Sequence, residues 1–93
     1  MTTRRELIVQ RYTTLEAELK QYVDVALFPS LDDIDLADVV FLITTTFVGV
    51  TTEDQYMEKI RDLVASNGIE MTEATLGTIA PLITDFVVFL KAV

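Results

Sequence analysis

Asp32, Asp33, Asp35 and Asp38 place four carboxylates within seven residues, with no basic side chain among them. Oxygen ligands at that density first suggest a hard divalent cation. A calcium loop requires acidic or amide oxygens at its positions 1, 3 and 5, glycine at 6 and glutamate at 12; counted from Asp33, Ala37 falls at position 5 and Asp38 at 6. The pattern fails, and no metal site is expected. These acids either complement the positive end of a helix macrodipole or form a docking site for a basic partner. Arg4 and Arg5 sit at the expected start of the first helix, where positive charge is unfavourable by about 0.3–1 kcal/mol. They read as a solvated terminus or as an arm reaching carboxylates on a neighbouring subunit, Asp32 to Asp38 among them.

The chain has no cysteine and no histidine. That removes thiolate and imidazole metal ligands, the usual general base near neutral pH and every Ser/His or Cys/His dyad. Acid/base chemistry would have to rest on carboxylates, tyrosine or lysine. Tyr12, Tyr22 and Tyr56 are expected at the edge of a core, rings covered and hydroxyls wet. Glu16 with Asp24 and Glu58 with Asp62 fall on faces that read as solvated, and Lys59 follows no glycine-rich phosphate loop. The sequence predicts no enzyme and no cofactor.

Charge is unevenly distributed. Residues 1–28 hold four bases and four acids, whereas the remainder holds three bases and eleven acids, so the net charge of −8 arises after Phe28. Binding nucleic acid requires cations, so a direct nucleic-acid ligand is not expected and a basic protein partner is. Yet 51% of the residues are hydrophobic and mean hydropathy is +0.39. A domain of this size buries only roughly 60–65% of the surface its unfolded chain exposes, so surplus apolar side chains are expected to emerge as a patch. The opening residues lack an apolar h-region, and no secretory signal is expected. Val39–Thr52 is 14 residues long with five threonines, and Ala74–Leu90 is interrupted by Asp85; no membrane span is expected.

Four helices account for the hydrophobic pattern. Ile8, Tyr12, Leu15, Leu19, Tyr22 and Ala26 recur at steps of four and three, predicting one helix up to Phe28-Pro29. That seam serves a bundle, or alternatively a dimer. Ser30 is the expected cap of a second helix, with Asp33 at its third position. The second helix runs into Val39–Val50, apolar all round and β-branched, for which a buried strand is the alternative. Thr52-Glu53-Asp54-Gln55 is a capping box for a third helix, which Ser66-Asn67-Gly68 ends. Thr72 caps a fourth, weakened or kinked near Pro81.

These patterns predict an all-α, single four-helix domain over residues 1–93. The expected role is a structural subunit of a homo-oligomer or a larger multi-subunit, virion-like assembly, cytoplasmic or within that assembly. Its contacts are expected through Phe41, Phe47 and Val48 of the second helix and Phe86, Phe89, Leu90 and Val93 of the last, because a small bundle cannot enclose both. The alternative is a small acidic regulator or inhibitor occupying a basic, nucleic-acid-binding surface of a partner protein.

Overall fold

Where sequence periodicity is interrupted by capping residues, the chain turns. The computed structural model describes residues 2–93, which form α1 (Arg4–Leu19), α2 (Leu36–Thr46), α3 (Glu53–Ser66) and α4 (Glu73–Ala92), with no strand among the described residues. Val39–Thr46 is therefore helical. The threonine hydroxyls of this stretch bond backward: Thr44 Oγ1 donates to the Val40 carbonyl at 2.7 Å and Thr46 Oγ1 to that of Leu42 at 2.8 Å. These two hydroxyls, which would otherwise compete with the helix, are thus satisfied inside it, and Thr45 is exposed.

Local signals set the later boundaries. Thr52 accepts from the Gln55 amide, and Gln55 Oε1 accepts from the Thr52 amide at 3.1 Å, completing the capping box. Gly68, at φ +72°, supplies the left-handed residue after α3. Thr72 accepts from the Thr75 amide. α4 continues through Pro81, which has no amide hydrogen for the Gly77 carbonyl; both residues are exposed, so water can take that carbonyl.

Three expected boundaries are corrected. α1 stops at Leu19 rather than Phe28, and α2 begins after Asp35 rather than Ser30 and ends at Thr46 rather than Val50. Residues 20–35 form turns, yet Val23, Leu27 and Phe28 are buried in the core. The buried Tyr12 hydroxyl donates to the Pro29 carbonyl and ties this segment to α1. Burial pushes the Tyr12 phenol well above its ordinary value, with the Glu16 charge adding to the effect. Its hydroxyl is therefore not wet, contrary to the sequence expectation. Ser30 accepts the Asp33 amide on its carbonyl and the Asp32 amide on its hydroxyl, closing a turn rather than a helix.

α4 packs against α1, α2 and α3. By length and composition it would also suffice to cross a membrane; here Leu76, Ile79, Ile83, Phe86, Val87 and Leu90 are buried in the core. The accessible surface is 5968 Å², against about 5,400 Å² for an average monomer of this mass. The excess is small, and among the described residues Leu7, Tyr22, Val25, Phe41, Leu42, Val48, Val88 and Val93 are the large apolar side chains left exposed.

Glu16 is half-buried beside this scaffold. Burial raises its pKa, Lys20 opposes the rise and the Asp32 carboxylate adds to it. A carboxyl whose folded pKa exceeds its unfolded one binds more protons in the native state, so stability falls as pH climbs through that interval. Glu16→Gln is expected to raise the melting temperature at neutral pH, the gain disappearing below the ordinary carboxylate range. A difference independent of pH in thermal melts would refute this account.

Candidate protein-docking face

The side chains of α2 divide sharply between two faces. Leu36, Val39, Ile43 and Phe47 turn inward, with Ile43 and Phe47 fully enclosed at 0% exposure. Phe47 stacks on Tyr56 with ring centroids 5.7 Å apart. Phe41 and Val48 turn outward and remain 71% and 73% exposed, with Leu42 at 42% between them. The rotation between consecutive helical residues produces this division within α2, 41 and 45 on one side and 36, 39 and 43 on the other; the cap residue Phe47 continues the inward side, and Val48, in the turn, the outward one.

The end of α2 is held from a distance. Lys91 Nζ donates to the Phe47 and Val50 carbonyls, both at 2.9 Å, and to the Tyr56 hydroxyl at 3.3 Å. An ammonium at the C-terminus of a helix complements its macrodipole, and Lys91 does this for α2 although it belongs to α4. Gly49, at φ +73°, then reverses the chain. Val48 projects from this tethered turn.

At the other end, Asp35 is the N-cap of α2, although its side chain makes no capping hydrogen bond, and Asp38 lies in the first turn. Both are exposed, as are Asp32 and Asp33 in the preceding turn. Among the described residues no cation pairs with any of the four, the ion pair there being Arg61–Glu73 at 3.0 Å. The described residues also contain no acidic cluster suited to a metal ion.

Several residues expected at an interface lie elsewhere. Phe47, Phe86 and Leu90 are buried at 0%, 4% and 5% exposure and belong to the monomer's own core. Phe89 is half-buried, its ring under the Arg11 guanidinium at 4.6 Å. Val93 is exposed, but its carbonyl accepts from Arg4 at 3.0 Å. Arg4 therefore lies against the end of α4 of the same chain, and Arg4 and Arg5 are both exposed. Of the expected apolar contacts, Phe41 and Val48 remain together on an open face. Leu42 joins them unanticipated, although its place four residues after Asp38 and one after Phe41 puts it on the rim of the same stripe.

Two surface grooves lie away from this face: Glu53, Asp54, Met57, Thr84 and Asp85 border one of about 310 Å³ between α3 and α4, and Arg11, Thr14, Glu18, Leu82 and Asp85 border one of about 270 Å³ between α1 and α4. The second groove carries charges of both signs, and among the described residues no hydrogen bond joins its Thr14 hydroxyl to Glu18 or Asp85. No protein-family model matches the chain, and neither a curated protein nor a solved structure does.

Proposed function

We propose that this protein is a non-enzymatic assembly subunit that binds another protein through the outer face of α2. The observation that carries this reading is the exposure of Phe41, on α2, and Val48, in the turn that ends it, at 71% and 73%, while the opposite side of the helix is packed. An isolated exposed apolar residue is ordinary, whereas Phe41, Leu42 and Val48 gather on one side, and the largest apolar patch on a monomer is often functional. Apolar contact of this type is weakly sensitive to ionic strength, whereas exposed charge pairs are screened at a Debye length of about 3 Å in 1 M salt.

The test uses photo-crosslinking residues at position 48 and, as a control on α1, at the exposed position 10. Expressed in its native cells, the protein is expected to retain a partner through a high-salt wash and to form one discrete adduct from position 48, none from position 10. Equal labelling from both positions, or no adduct, would count against the α2 reading. The second reading, an acidic inhibitor of a basic nucleic-acid-binding surface, is favoured by the exposed carboxylates Asp32, Asp33, Asp35 and Asp38. It requires the complex to disperse in the same wash.

A further inference from the structure

We infer that the occupant of the α2 face is a basic amphipathic helix from another protein, rather than a second copy of this chain; the inference rests on the docking reading above. Asp38, Phe41, Leu42, Thr45 and Val48 are spaced i, i+3, i+4, i+7 and i+10, and all five are exposed. Asp38 to Thr45 run about 10 Å along α2 at 1.5 Å per residue, roughly two helical turns, and Val48 extends the stripe from the turn that ends the helix. A single helix laid along it would meet an aromatic anchor at its middle and carboxylates at one end.

Area argues against a second copy. A fully buried phenylalanine covers about 150–250 Å², so Phe41, at 71% exposure, offers on the order of 100–180 Å² and the whole stripe a few hundred. A stable interface between globular subunits takes about 800 Å² from each partner. The stripe alone falls short of that, but it suits one face of a docked helix.

Charge points the same way. α2 contains no basic residue, and the ammonium nearest its far end, Lys91, is committed to the Phe47 and Val50 carbonyls. Two copies packed α2 to α2 would therefore bring Asp35 and Asp38 either against the same acids or against a helix end whose ammonium is already engaged by two carbonyls. Each copy also carries a net charge of −8. Lysine or arginine at one end of an incoming helix would instead neutralise Asp35 and Asp38, neither of which has an ion-pair partner among the described residues.

The experiment uses two labelled synthetic helices of about 18 residues, long enough to be helical alone. They share one leucine and phenylalanine stripe and differ in three lysines or three glutamates at one end. Fluorescence anisotropy is measured against the wild type, Phe41→Asp, and Asp35→Asn with Asp38→Asn, since asparagine preserves the N-cap. The lysine peptide is expected to bind the wild type. Binding should be lost in Phe41→Asp and weakened about fivefold or more, with a shallower salt dependence, in the double asparagine variant. Equal binding of both peptides, or none of the expected weakening, would overturn the basic-partner inference while leaving the docking face intact. If neither peptide binds but sedimentation shows a wild-type dimer that Phe41→Asp dissolves, the occupant is a second copy, and again only this inference fails. If neither peptide binds and the protein is monomeric, both this inference and the docking reading fall.

Discussion

Phe47→Ala is expected to cost about 3–5 kcal/mol of unfolding free energy, whereas Phe41→Ala, within the helix that Phe47 closes, should stay within about 0.5 kcal/mol of the wild type. The two rings differ in what surrounds them. Phe47 has no solvent contact and stacks on Tyr56, so truncation removes transfer free energy and leaves a cavity that a closely packed interior fills poorly. Phe41 is 71% exposed, and alanine is the better helix former. A domain of this size has about 5–14 kcal/mol of total stability, so the first change takes a large share of it. Should Phe47→Ala fail to fold, Phe47→Leu provides the graded measurement, at about 1.5 kcal/mol or less if the core repacks. Urea midpoints at an unchanged slope would establish the contrast; equal losses at both positions would show that α2 is not oriented as described.

The same contrast bears on function. A variant that leaves stability alone but abolishes docking must act through the surface, and Phe41 meets that condition where Phe47 does not. Substituting Phe47, Phe86 or Leu90 to test an interface would instead measure the core, because all three are buried in the monomer. Loss of binding in such variants would follow from unfolding alone.

How much of this was legible in the sequence depends on whether the controlling interaction is local. The capping box at Thr52 and Gln55, the Thr72 cap and the left-handed Gly68 are each completed within a few residues, and each appears where the residue types predict it. The end of α1 is different. Tyr22 and Ala26 continue the spacing of Ile8, Tyr12, Leu15 and Leu19, yet both are exposed, and the helix has already ended. What holds residues 20–35 is tertiary: the Tyr12 hydroxyl on the Pro29 carbonyl, and Val23, Leu27 and Phe28 in the core. No periodicity encodes that. The docking face was half legible for a related reason. Val39–Val50 is apolar on every side, so composition marks Phe41, Phe47 and Val48 alike as surplus. The i, i+4 relation of Val39, Ile43 and Phe47 in principle singles out the inward stripe, but which stripe faces inward depends on how α4 approaches. Lys91 illustrates the limit. Its position suits the end of its own helix, and the structure assigns its ammonium to α2.

Lys91→Met is accordingly expected to lower stability by about 2 kcal/mol, since charge-assisted hydrogen bonds contribute about 1.5–3 kcal/mol and the abandoned carbonyls are partly buried. For a domain of this size that corresponds to a fall of about 10 °C in melting temperature. The Phe47 carbonyl would keep its bond from the Val50 amide at 3.2 Å, but the Val50 carbonyl would lose its Lys91 donor. Methionine retains the aliphatic stem, which separates the loss of the ammonium from the loss of packing. Hydrogen exchange should accelerate first at the amides of Val48 and Val50, which close the turn after α2 onto Thr45 and Phe47. A melting temperature within a degree or two of the wild type, with unchanged exchange in that turn, would show the tether to be incidental. Because Val48 projects from the same turn, losing the tether should also weaken docking at the α2 face without altering any residue of the stripe. A stability loss with docking unaffected would separate the two, placing the function of Lys91 wholly in the fold.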